Sequence, residues 1–488
     1  MIEQNNKIGL ITAISYTIGD IVGSGIFISP TSILNHAGSV GLSLCLWAIC
    51  AVISLFGALS YVELGPSIRK SGCDFAYLTF FGLRPFAASF MWASTCLSYP
   101  ATMAIQAVTF GEYVITGLDN WIYLADNFRF LAYRLVGFSV LWPLMYLNFF
   151  SLRHVAGYFQ IVATFTKLII ASIIIFTGFY FIIFKHSVSN FNNSFNGSNW
   201  NPSGLVLGIY SGLFAYNGWD VLNFGAEEIE NPRRTMPIAA MTGICISATI
   251  FLLMNISYFS VLTVDEFKTS PAIAVTFAEK TLGQFHYIVP FLVSLLLLGN
   301  LNTTIFACSR YMQAGAKENV MPTPLKLINH SSRSPRLTVF VVVIIAILLS
   351  FIGSLDQLIS YMSFATWSQR RLLQAAFVYF KFTGKMKSQD SFVVPIIVPS
   401  IFFVICVSLL VIPTIQNYHI AVYGLSLTLG GAIIYFIFVR PKHLPPIFNV
   451  INDRVVKFSQ IMFDMVIDEQ SGFETPEYIC NCDYKIKL

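Results

Sequence analysis

Few residues in the apolar stretches of this chain can do polar chemistry, and most of them fall in two short clusters. The first is `GDIVGSGIF`, Gly19–Phe27, where Asp20 stands among three glycines; the second is `FAYNGWD`, Phe214–Asp220, which joins Asn217 and Gly218 to Asp220. Glycine is a weak helix former, so each cluster is a place where a membrane helix is expected to break. A broken helix frees backbone N–H and C=O groups that lipid cannot satisfy and a polar ligand can. The N–H groups of Gly23, Ser24 and Gly25 at the start of a half-helix suit a carboxylate, and freed carbonyls in the second cluster suit an ammonium. Together they would clamp a zwitterion such as the backbone of an α-amino acid. The competing reading is that the glycines only let helices pack closely.

Three further charges stand alone in apolar surroundings: Lys167 in `FTKLIIASIIIF`, and Arg370 and Arg371 in `WSQRRLLQ`. A charge within a span is costly and by default marks function, with a partner to be found. Lys167 is expected to pair with Asp20, unless it snorkels to the interface. One of the two arginines is expected to meet Asp220 and the other to face a cytoplasmic vestibule. Asp220 has alternatives, favouring a cationic side chain or carrying a proton, and the double arginine also fits an inactive variant. No nucleotide-binding loop, metal-ligand cluster or catalytic triad accompanies these residues, so neither an enzyme nor a cofactor nor a metal is expected.

The elements that must position these residues follow from composition. Of 488 residues, 56% are hydrophobic and 11% charged, against roughly 25% charged in an ordinary soluble domain. Apolar runs long enough to span a bilayer recur at 9–34, 41–64, 82–115, 131–150, 158–184, 204–228, 237–262, 285–316, 336–354, 358–380, 392–413 and 419–439. The expected fold class is an all-α polytopic membrane protein of about twelve transmembrane helices, and a β-barrel is excluded by the continuity of the runs. The clusters fall in spans one and six. Such paired interruptions predict a five-plus-five inverted repeat with helices 1 and 6 broken at a central site. The repeats are placed at about 9–184 and 204–380, followed by two extra helices. Residues 1–8 and 441–488 are then a short N-terminal segment and a tail, and no cleavable signal is expected.

Basic residues set the orientation. Arg69, Lys70, Arg84, Arg153, Arg233, Arg234 and others as far as Lys387 fall on one side, against Arg129, Arg134, Lys185, Lys268 and Lys280 on the other. The first side is therefore cytoplasmic, with both termini, and the net charge of +5 needs no nucleic-acid partner. The sequons at Asn192 and Asn196 lie in the expected outer loop and are candidates for glycosylation, whereas those at Asn255, Asn302 and Asn329 read as chance. None of the nine cysteines lies in an expected outer loop. Cys480 and Cys482 in the tail form either a reduced pair or a palmitate acceptor. The final `KIKL` has the alternation of a ligand for a scaffold-domain protein.

Four stretches carry a family resemblance: `IVGSGIFISP` (Ile21–Pro30), `ALSYVELGPSIRKSGCDFAYL` (Ala58–Leu78), `YSGLFAYNGWDVLNFGAEEIENPRRTMPIA` (Tyr210–Ala239) and `SRYMQAGAKENVMP` (Ser309–Pro322). In this order, over about 8–440, the chain resembles the L-type amino-acid transporters, light chains of heteromeric transporters in the amino acid–polyamine–organocation superfamily. The `EExxNPxR` element, from Glu227 and Glu228 through Asn231 and Pro232 to Arg234, is its most distinctive piece. The resemblance implies a sodium-independent exchanger of the plasma membrane, moving neutral amino acids, large or aromatic ones above all, by alternating access. Its site would comprise Gly23, Ser24, Gly25 and Ile26 for the substrate carboxylate, and the carbonyls of Phe214, Ala215 and Asn217 for the amine. Gly218 would leave room for the side chain, with Asp220 beside it. Phe214 and Trp367 would be gating aromatics, and Lys167, with Asp20, would replace a sodium ion. The loop `GLDNWIYLADNFRF` lacks the cysteine that many members bond to a heavy chain, so no covalent heavy chain is expected. The alternatives are a cationic amino-acid or polyamine carrier and, in another class, a non-transporting sensor.

Overall fold

The structure is a computed structural model that describes residues 9–68, 73–118, 121, 124–149, 155–223, 229–332, 334–352, 354–385, 392–416, 418–441 and 445–466. Glu227, Glu228, Cys480, Cys482 and the `KIKL` end lie outside them. The described residues are mostly helical. In order the helices are α1 (Leu10–Ile21), α2 (Gly25–Ala37), α3 (Val40–Ser67), α4 (Asp74–Phe80), α5 (Arg84–Ala93), α6 (Tyr99–Leu118), α7 (Asp126–Leu147), α8 (Val155–Lys185) and α9 (Pro202–Ala215). They continue with α10 (Pro232–Val261), α11 (Val264–Thr269), α12 (Ile273–Thr281), α13 (Ile288–Lys317), α14 (Arg336–Leu349), α15 (Leu355–Phe382), α16 (Ile397–Gln416), α17 (Tyr418–Ile434) and α18 (Pro446–Phe463). Each apolar run of the sequence contains a helix. Among the described residues seven helices are long and apolar enough to cross a membrane, and eight when α1 and α2, bent by 49° across their break, are taken as one span.

The breaks fall where glycine and polar residues weaken the helix. α1 ends at Ile21 and α2 restarts at Gly25, with Gly23 N–H turned back onto the Ile21 carbonyl at 2.8 Å. α9 stops at Ala215 and gives way to turns through Asp220, in which Gly218 takes φ +108°, a conformation that L side chains rarely adopt. The third span carries a subtler irregularity. Between α5 and α6 lies one π-turn, Ser94–Ser98, just before Pro100, whose missing N–H leaves the regular ladder incomplete.

Packing then brings the broken elements to the centre. α2 lies on α9, α1 on α10, and α10 also contacts α3 and α8; α6 packs between α7 and α13. The core is aromatic around α3 and α9, where Trp47, Tyr216 and Phe251 meet with ring centroids 5.0–6.1 Å apart. Two features of the fold are illegible from hydropathy. The connection between α10 and α13 folds into α11 and α12, opened by a Thr263–Glu266 capping box. The tail also forms α18, whose end is tied back by a short antiparallel pair, Ile328–Asn329 with Met465–Val466.

Candidate functional site

The two breaks meet face to face. A Cβ on Gly25 would stand 2.3 Å from Ala215 Cα, so only glycine allows α2 this close to α9. Ser32 and Ser211 continue the contact with hydroxyls 2.8 Å apart. Beside the crossing lies a cavity of about 110 Å³. Gly23, Ser24 and Gly25 line it from the α2 start, and Phe214, Ala215, Asn217 and Gly218 from the end of α9. Asp20 and Lys167 line it as well. Nine of the residues that sequence reasoning singled out are thus gathered around one space.

Lys167 reaches this site from α8. Its side chain is buried, and its Nζ donates to the Gly19 carbonyl at 3.0 Å. The break leaves the last carbonyls of α1 without intrahelical partners, and the lysine supplies one. The negative end of a helix dipole also favours a cation there. The expected Asp20–Lys167 pair is not a direct contact: the ammonium bonds the backbone, and Asp20 remains a nearby opposite charge on the same cavity. The Asp20 carboxylate, open to the cavity, lies instead over Gly218, where a Cβ would come 2.5 Å from its Oδ2. Gly218 therefore leaves room for Asp20 while also lining the cavity.

Three other expectations are corrected. Ile26 is 1% exposed and belongs to the apolar core, because the second residue of α2 points away from the cavity. Asp220 does not line the cavity; it is buried and held by Arg370, whose Nη2 lies 3.0 Å from its Oδ2. That arginine also sits over the rings of Trp219 at 4.6 Å and Trp367 at 5.1 Å. Trp367 is accordingly buried between Arg370 and Phe402, away from the cavity. Arg371, one residue on, is exposed. Asn192 and Asn196 are both exposed, in the connection between α8 and α9.

The sequence reading missed the far wall. Gln106 of α6 donates from Nε2 to Ser24 Oγ at 3.3 Å and accepts from Thr304 Oγ1 of α13 at 3.2 Å. Asn300, whose Nδ2 would lie 3.2 Å from a Cβ on Gly23, and Thr102 and Thr303 complete that side. A signal existed, since an amide within an apolar span marks a polar interior. The result is a small, hydrogen-bonding cavity with one carboxylate, one ammonium already bonded to backbone, and helix N–H groups at its edge. Such a lining is close to neutral, and it complements a ligand that carries both charges.

Among the described residues no cluster of histidine, cysteine or acidic side chains could hold a metal, and all seven described cysteines are free. Comparison with known proteins agrees with the architecture. A family model described as amino acid permease matches residues 8–439. The chain is similar to Amino acid transporter protein 6 of Caenorhabditis elegans, 45% identical over 97% of this chain and 91% of that protein. It is also similar to the human cystine/glutamate transporter, 34% identical over 96% of this chain and 92% of the relative. The b(0,+)-type amino acid transporter 1 of Rattus norvegicus is 35% identical over 89% and 88% of the two chains. With a polar cavity set where two membrane helices break, and with relatives that are transporters rather than enzymes over nearly their whole length, this chain belongs to the amino acid permease family and transports amino acids.

Proposed function

We propose that the chain is a sodium-independent exchanger of neutral L-amino acids, working by alternating access in the plasma membrane with both termini cytoplasmic. The observation that carries this reading is the bond from Lys167 to the Gly19 carbonyl at the helix break. A fixed ammonium at that carbonyl does what a bound cation would do, so no sodium is needed to complete the site. The near-neutral lining supports a zwitterion over a net anion or cation. The cationic alternative through Asp220 loses its basis, because Arg370 already neutralises that carboxylate.

Side-chain preference is the finer part of the reading. Phe214 offers one aromatic wall, in keeping with large or aromatic substrates. The cavity of about 110 Å³, with Thr102, Gln106, Asn217 and Asn300 around it, favours small side chains that hydrogen-bond. The second class is the one the geometry supports. Two repeats would rock about the α2–α9 crossing, exposing the cavity to each side in turn.

The test is radiolabelled serine, phenylalanine and lysine uptake in cells expressing this chain, with and without sodium and with preloaded internal amino acid. Serine uptake that ignores sodium and accelerates on preloading is expected. Lys167→Met should abolish it while Lys167→Gln, which keeps a donor, loses less. Binding without counterflow would make the chain a sensor instead, and sodium-dependent uptake would reject the role given to Lys167.

A further inference from the structure

Away from the transport cavity, a groove of about 910 Å³ opens where α10 begins. Its polar end is Arg233 and Arg234, and its walls are Pro237, Ile238, Met241 and, from the segment before α16, Phe392. Both arginines are exposed, and among the described residues neither meets an acidic partner. The first turn of α10 holds no acidic residue either. Two guanidinium groups are thus stacked on the positive end of a 30-residue helix, an arrangement that is unfavourable until an anion arrives. Ile238, Met241 and Phe392 are each about two-fifths exposed, and they continue the groove along a helix that crosses the membrane.

We infer that this groove binds an anionic phospholipid, its phosphate against Arg233 and Arg234 and its acyl chain along Ile238, Met241 and Phe392. The argument is charge complementarity joined to continuity with the bilayer. Arginine forms forked hydrogen bonds to phosphate oxygens, and the apolar walls begin where those bonds end. A soluble anion would leave the apolar half of the groove uncovered, and a neutral lipid would leave the two cations uncompensated. A basic pocket at a helix end on the cytoplasmic side is where anionic headgroups collect. The leaflet, though not the site, rests on the orientation proposed above.

Photolabelling of the full chain in phosphatidylcholine vesicles tests this. Vesicles carry a trace of photoreactive phosphatidylserine or of photoreactive phosphatidylcholine with the same reactive group, and labelled residues are located by mass spectrometry. The serine lipid should label Pro232–Met241 and Phe392 several-fold more than the choline lipid, and raised salt should shrink that difference. In an R233Q/R234Q variant of unchanged helicity the two probes should label the segment equally. Should that variant fail to fold, the headgroup and salt comparisons on the unaltered chain decide alone. Equal labelling of the segment by the two lipids, or serine-lipid label concentrated elsewhere, overturns the proposal. Both vesicle leaflets carry probe, so a wrong orientation leaves the result intact, and because no uptake is measured, failure as an exchanger is a separate outcome.

Discussion

Single residues at the break do work that side-chain identity alone only half declares. Asp20 and Lys167 announce themselves as charges in apolar runs, but which groups they touch is decided by a free carbonyl and a missing Cβ. The Gly19 carbonyl exists as an acceptor because α1 ends two residues later. A lysine that left it unpaired in a low-dielectric setting would cost about 1–3 kcal/mol. Gly218 is the sharper case, since it combines φ +108° with Asp20 Oδ2 only 2.5 Å from where a Cβ would stand. Gly218→Ala therefore meets two penalties, a backbone strain of about 1–3 kcal/mol and a clash. We expect it to lower the melting temperature of the detergent-solubilised protein and to cut uptake by more than about tenfold, the effect of 1.4 kcal/mol or more on the transport barrier. Adding Asp20→Ala should return part of the thermal loss by removing the clash, while the strain remains. A double variant that melts no higher than Gly218→Ala would show that the Asp20 contact is not the cause. That glycine-rich clusters would break helices was legible; that one of these glycines also makes room for a carboxylate was not.

At the scale of elements, α15 is the piece that sequence reading explains least and the structure explains best. Arg370 looks misplaced in a span until its surroundings are seen: Asp220 at 3.0 Å and two indole rings stacked on the guanidinium. Lys381, further along the same helix, bonds the buried Glu63 of α3, which also accepts from Val394 N–H at 2.7 Å. Charges thus fasten α15 at two points, to the unwound end of α9 and to α3, in addition to the apolar packing of Leu373 and Phe377 in the core. The Asp220 tie is the one that bears on transport, because the turns it anchors hold Asn217 and Gly218 at the cavity. Removing one partner of a buried pair strands the other charge and costs about 3–5 kcal/mol, whereas removing both costs less than the sum. Arg370→Ala and Asp220→Ala are each expected to destabilise strongly, and the double variant to recover much of that loss in a thermal-melt cycle. Strict additivity would mean that the ion pair does not couple the two elements. Span positions were legible because apolar runs of bilayer length have no other use. The π-turn before Pro100 and the amides Gln106 and Asn300 left local signals that hydropathy passes over, whereas the tie that holds the end of α18, Met465–Val466 against Ile328–Asn329, depends on neighbours distant in sequence.

For the whole molecule, the open matter is whether it reaches the cell surface joined covalently to a second chain. Cys45 and Cys245 are exposed, but both lie within helices of span length, α3 and α10, where exposure means lipid and not an oxidising medium. Cys73 is buried beside Asp74, and Cys50, Cys308 and Cys406 are buried in the helix bundle. The connection between α6 and α7 has no cysteine at all. A disulfide requires Cα atoms within about 7 Å and an accessible thiol; on the side of Asn192 and Asn196 the exposed described cysteine is Cys45, near the α3 start that meets Ser194 and Ser198, and it stands within the span-length helix. Co-expression with a single-span glycoprotein heavy chain is therefore expected to leave the mobility of this chain unchanged on a gel run without reductant. The same gel should show a shift on deglycosylation that disappears in an Asn192→Gln, Asn196→Gln double variant. That shift would place the α8–α9 connection outside and with it the cysteine-free α6–α7 connection, since an even number of crossings separates the two. A reductant-sensitive complex would reverse the conclusion and direct attention to Cys45, near the α3 start that meets the α8–α9 connection, and the absence of any shift would remove the reason for placing this loop outside.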